Sequence, residues 1–158
     1  MSVNNPKVTS VAGLYRQLVA LCDSGFALAT HIRYTRPSLL YQTYDAKWID
    51  HYNEKGFMLA DPTVHWGLTN IGSIDWDSLS AQDPDGVLRA ARAFGLTNGW
   101  TYATGPATSR SLASMTRTTP FTAAQRDDIR SIIDDIHAQT EGFDQLPTAT
   151  QEALRAVG

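Results

Sequence analysis

GWTYATGPATSRSLASMT, residues 99–116, holds two short runs of β-branched, aromatic and small residues, 99–104 and 111–116. Gly105-Pro106 and the polar residues after it punctuate the stretch, so it is predicted to form two strands joined by a turn. Downstream of Pro120, Thr122 and Gln125 have the spacing of a capping box. Ile129, Ile132, Ile133 and Ile136 follow at i, i+3, i+4 and i+7, the apolar stripe of an amphipathic helix. Upstream, 26–34 and 39–43 read as a second strand pair turned by Arg36-Pro37-Ser38. Val11, Leu14, Tyr15, Leu18 and Cys22 read as a first helix behind Ser10 as N-cap, ended by Gly25 and preceded by a short polar tail. Between the two strand pairs lie a helix over 44–55 stopped at Gly56, a helical turn opened by Asp61-Pro62, and a stretch over 70–84 read mostly as loop. A helical stripe of Val87, Leu88, Ala91 and Phe94 follows, closed by Gly95. Helix, hairpin, helices, hairpin, helix is an α+β order, with helices packed on the faces of an antiparallel sheet.

The 158 residues make one domain able to bury a full core. Apolar residues are 42% and charged residues 18%, which excludes a disordered or fibrous chain. The net charge of −3 gives no global field to hold a polyphosphate. The single cysteine, Cys22, rules out an intrachain disulfide and a CxxC zinc knuckle, and reads as a small buried hydrophobe. The opening MSVNNPKVTS has neither a basic region nor an apolar run, and no apolar stretch reaches the length of a membrane span. The expectation is a cytoplasmic domain.

The aromatic residues are unevenly spread. Tyr41, Tyr44, Trp48, Tyr52, Phe57, Trp66 and Trp76 all fall between residues 41 and 76. Tyr44, Trp48 and Tyr52 step by four and share one helix face. Core packing alone would explain such a stripe. Yet all three carry a polar handle that needs a partner when buried, which suits a pocket for a small ligand with both carbonyls and apolar parts. Asp61 sits among Met58, Leu59 and Val64; it reads first as the cap of the turn that Pro62 starts, and second as a carboxylate accepting a ligand N–H.

Signatures of catalysis are absent: no GxSxG, GxxxxGK[ST] or GxGxxG. His31, His51, His65 and His137 have no metal-ligand spacing. Asp61 with His65 reads as a helix-stabilising pair, and no histidine motif stands beside Ser111 or Ser114. Arg110 and Arg117 are too sparse for a nucleic-acid patch.

The ordered set Tyr44-x3-Trp48-x3-Tyr52, Asp61-Pro62, Trp76 and Gly99 resembles the autoinducer-binding domain of LuxR-type quorum-sensing regulators, over roughly residues 10–140. The resemblance implies a five-stranded antiparallel sheet between helical layers, a sensor fold of the PAS or GAF kind. It implies an N-acyl-homoserine lactone as ligand, with no cofactor and no metal, and a homodimer. Trp48 would donate to the lactone carbonyl and Asp61 would accept from the amide N–H. Tyr44 with Ser114 would hold the acyl carbonyl, while Tyr52 and Trp76 would wall the pocket. Gly99 would permit a close backbone approach, and Pro62 would aim Asp61. Asn53 and Thr63 depart from the family's larger apolar groups, and His31 and Gln42 fall near the expected acyl chamber. Residues 141–150 read as a linker. The stretch from Leu146 to Gly158 resembles the first helix of a helix-turn-helix domain, through which alone DNA would be bound. The expected organisation is therefore a sensor over 1–140 and a linker with the start of a second domain over 141–158. A second reading is an interaction protein that forms inactive heterodimers with a full-length relative. A lactone hydrolase is a third and weaker one, since nothing supplies an activated nucleophile or a metal-bound water.

Overall fold

The computed structural model describes residues 5–34 and 36–158, so the first four residues of the expected polar tail lie outside it. The helix α1 spans Pro6–Leu21 and the helix α5 spans Ala123–Gln139. The strands are β1 (Gly25–Ile32), β2 (Leu39–Gln42), β3 (Gly72–Asp75), β4 (Trp100–Thr104) and β5 (Arg110–Thr116). Between β2 and β4 stand α2 (Ala46–Glu54), α3 (Pro62–Thr69) and α4 (Val87–Ala93), and α6 (Thr148–Arg155) comes last.

The strands form one antiparallel sheet in the order β2-β1-β5-β4-β3. Both expected hairpins are present, and β1 pairing with β5 joins them across most of the chain. Alternation along the strands sends Phe26, Leu28, Trp100, Ala113 and Met115 to one face, where α1 and α5 bury them with the isoleucine stripe. Burying side chains of this size contributes roughly 1.5–3 kcal/mol each. The opposite face carries Ala27, Ala29, Thr101, Leu112 and Ser114, and is covered by α2, α3 and α4. The α+β sandwich is as expected.

Three boundaries differ from expectation. Asp45 caps α2 at Ala46, so Tyr44 precedes the helix instead of sharing its face with Trp48 and Tyr52. The helix α1 begins five residues before Val11, because Asn5 accepts from the Lys7 and Val8 amides and Pro6 occupies the first turn; Ser10 is inside the helix. The stretch over 70–84 is not mainly loop: it supplies the edge strand β3 and a 3-10 segment, Trp76–Gln82. The strand is four residues long and paired on one side only, so its sequence carries little alternation to read. The capping box is formed, with the Thr122 hydroxyl on the Gln125 amide and the Gln125 side chain on the Thr122 amide.

Residues 143–158 pack on the body of the domain. Phe143 and Leu154 are buried in the α1/α5 core, and the buried Tyr41 hydroxyl donates to the Leu154 carbonyl at 2.6 Å. Asn5 donates to the Thr150 hydroxyl, tying α6 to the start of α1.

Candidate functional site

The helix α2 starts at Asp45, whose side chain caps the Lys47 amide, and it turns Trp48 inward and Tyr52 beside it. The Trp48 ring packs against Tyr52 at 5.7 Å, Phe94 at 5.3 Å and Phe57 at 6.2 Å between ring centres. It is 5% exposed, and its indole N–H meets no acceptor among the described residues.

Asp61 is both cap and site residue. Its Oδ1 accepts from the Thr63 amide at 2.9 Å and the Thr63 hydroxyl at 2.7 Å. Its Oδ2 accepts only from the Tyr52 hydroxyl, at 2.8 Å. A carboxylate oxygen has two lone pairs, so Oδ2 keeps one for a further donor. Capping, one of the two sequence readings, therefore uses Oδ1, and Oδ2 is the oxygen with capacity left among the described residues. Burial raises the Asp61 pKa above the ordinary carboxylate value, opposed by the Thr63 and Tyr52 hydrogen bonds. Burial likewise raises the pKa of Tyr52, so its hydroxyl stays a donor.

Tyr44 reaches the sheet: its hydroxyl donates to the Ser114 carbonyl at 3.0 Å. The Ser114 hydroxyl bonds the Thr101 hydroxyl at 2.7 Å, which also accepts from the Trp76 indole N–H at 3.1 Å. Trp76 lies flat on β4, with its amide on the Gly99 carbonyl. A Cβ at Gly99 would come within 2.2 Å of the indole ring, so this position takes no side chain while Trp76 lies there. The close approach expected at Gly99 is real, and its partner is Trp76.

Tyr44, Trp48, Tyr52, Asp61, Trp76 and Ser114 are thus gathered between α2, α3 and one sheet face. Sequence reasoning missed Thr63 as an Asp61 ligand, though a threonine two places after a cap is a recognisable partner. It also missed Thr101, which only the β4–β5 register places across from Ser114. Of the departures, Thr63 stays in the site as the partner of Asp61, Gln42 and Asn53 are exposed, and His31 is drawn elsewhere.

That elsewhere is a second polar cluster. The His31 ring stacks on His137 at 4.1 Å. Its Nε2 faces the His137 carbonyl at 2.8 Å, so Nε2 carries the proton and the Ser109 hydroxyl donates to Nδ1 at 2.7 Å. Ser111 accepts from the His31 amide and shares a hydrogen bond with His137 Nδ1. Ser111 has no exposed surface, so this serine–histidine contact braces the bulge in β1 and is closed to a substrate. Among the described residues no cluster of histidine, cysteine or acidic side chains could hold a metal ion, and no helix is long and apolar enough to cross a membrane.

Aromatic rings, hydroxyls and one buried carboxylate are thus gathered on a sheet face covered by helices. The family model for the autoinducer binding domain matches residues 17–139, and the chain belongs to that family. The transcriptional activator protein VanR of Vibrio anguillarum is 35% identical over 68 residues, which is 42% of this chain and 28% of that protein. The chain thus matches less than a third of that relative's length. Among solved structures, SdiA in complex with octanoyl-rac-glycerol superposes with a TM-score of 0.66 at 19% identity, covering 90% of this chain and 62% of that one. The N-acylhomoserine lactone dependent LuxR family factor CepR2 of Burkholderia cenocepacia superposes with a TM-score of 0.58 at 14% identity, covering 87% and 95%. Both likenesses are of fold.

Proposed function

We propose that the chain is the signal-sensing part of a transcription regulator and encloses an N-acyl-homoserine lactone without transforming it. The observation that carries this is the hydrogen-bonding capacity left over at the site. Trp48 has a free N–H for the lactone carbonyl, and Asp61 Oδ2 has one lone pair for the amide N–H. The Tyr44 O–H already donates to the Ser114 carbonyl and would have to turn to reach the acyl carbonyl, for which the Ser114–Thr101 hydroxyl pair keeps one donor; Tyr52 and Trp76 form the walls. Two carbonyls and one N–H are the polar groups of that ligand class. Family membership and the named dependence of CepR2 support the same ligand.

In this reading residues 1–140 are the sensor and residues 141–158 lead into a helix-turn-helix domain, through which DNA is bound. The unit works as a cytoplasmic homodimer and needs no cofactor. A ligand built into the core stabilises the fold by mass action. Thermal melts against a panel of acyl-homoserine lactones test this: the melting temperature rises with concentration for one subset. A folded, ligand-free protein that no lactone shifts overturns the proposal, and turnover of lactone by the purified chain would replace it with a hydrolase.

A further inference from the structure

This inference rests on the acyl-lactone reading and concerns the tail of the ligand. On the chamber face, β5 presents Ser114, Leu112 and Arg110 in turn. The helix α3 crosses this row at Leu112. Gly67 of α3 is buried, and a Cβ there would lie 2.1 Å from Leu112 Cδ1, so the helix backbone rests on the leucine with no room between. Leu112 is itself 7% exposed and packed with Ile32 and Ala103, flanked by Val64, Trp66 and Leu68.

The helix cannot readily lift away, because both ends are held. Asp61 caps its first turn. At the other end the Arg110 guanidinium donates to the carbonyls of Gly67 and Asn70. Arg110 is 6% exposed, so raising α3 would strip a buried cation of its acceptors. The aromatic cluster around Trp48 and the aliphatic cluster around Leu112 are separate, and α3 rests on the latter through Gly67.

We infer that Leu112, seated against Gly67, is the end wall of the acyl chamber and restricts the ligand to a short tail, of about eight carbons or fewer. Ser114 and Leu112 are two residues apart on one strand face, about 7 Å, which an extended alkyl chain crosses in roughly five or six carbons. A tail anchored by its carbonyl at Tyr44 and Ser114 therefore meets Leu112 at medium length. A dodecanoyl tail must displace the leucine or leave its own end in water.

The test is a series of dissociation constants for butanoyl-, hexanoyl-, octanoyl-, decanoyl- and dodecanoyl-homoserine lactone, measured by calorimetry on the intact chain. Affinity peaks at or below octanoyl and falls at least tenfold by dodecanoyl, since a poorly housed methylene costs about tenfold or more in a rigid apolar pocket. Leu112→Ala opens the wall and tightens dodecanoyl binding at least about tenfold relative to the parent. Leu112→Val, a smaller change that keeps the core, moves the optimum the same way. Dodecanoyl binding as tight as hexanoyl in the parent overturns the inference, as does an unchanged preference in a folded Leu112 variant. Failure of every lactone to bind sinks the acyl-lactone reading itself, a result distinct from a long-chain preference.

Discussion

The Tyr52 hydroxyl donates to Asp61 Oδ2 at 2.8 Å, while Asp61 Oδ1 is fully used by Thr63. One side chain thereby fixes the start of α3 with one oxygen and presents the other, already oriented by a tyrosine, to the chamber. That carboxyl group, with Phe57 packed on Trp48 and Tyr52, holds the loop between α2 and α3 in place.

Asp61→Asn separates the two jobs. Asparagine caps helices as well as aspartate does, and it removes a buried charge. Because the folded pKa is raised, the carboxylate costs stability at neutral pH, and that cost fades as pH falls through the raised value. The variant is therefore as stable as the parent or more so, by up to about 1 kcal/mol, but binds lactone at least tenfold more weakly. Urea unfolding with and without ligand checks both halves.

Trp48→Phe keeps the ring contacts with Tyr52 and Phe94 and deletes the free N–H. Unliganded stability changes by less than about 1 kcal/mol, while binding weakens roughly tenfold. Equal losses with and without ligand would remove Trp48 from the binding set.

Gly99→Ala drives a methyl group into the Trp76 indole. Overpacking of this kind costs about 1–3 kcal/mol. Trp76→Leu alone is also destabilising, but the double variant loses less than the sum of the two, a coupling readable in a double-mutant cycle.

His137 gives the fold an acid limit. Burial, and then the stacked His31, lower its pKa below 6.5, against the opposing pull of Glu141 and Asp134. The unfolded chain takes up a proton that the folded chain refuses, so the stabilisation is present above pH 6.5 and is lost as pH falls from there toward the folded value. His137→Asn, which keeps an acceptor for Ser111, has a flatter urea midpoint between about pH 5 and pH 7 than the parent.

Tyr41→Phe removes the shorter hydrogen bond to the Leu154 carbonyl and leaves it the longer one from the Val157 amide. The cost is about 1 kcal/mol or somewhat more, and it falls on α6. Hydrogen exchange at the amides of α6 speeds up before exchange in α1 does.

Elements with a strong local code were legible in the sequence. The isoleucine stripe with its capping box, the Asp61-Pro62 start of α3 and the Trp48–Tyr52 step of α2 each depend on residues a few positions apart, whose geometry the helix repeat dictates. These carried the α+β order and, with the family resemblance, the six residues proposed for the site. The edge strand β3 and the start of α1 were read wrongly, since four residues paired on one side and a cap lying before the apolar repeat leave a weak pattern. Everything that depends on which strands lie side by side came from the tertiary structure. The β4–β5 register set Thr101 beside Ser114, the bulged β1–β5 pairing drew His31 out of the chamber to His137, and the packing of α3 on β5 brought Gly67 onto Leu112. Those contacts join residues between 13 and 106 positions apart, and their geometry is set by packing two helical layers on one sheet, which no local sequence repeat encodes.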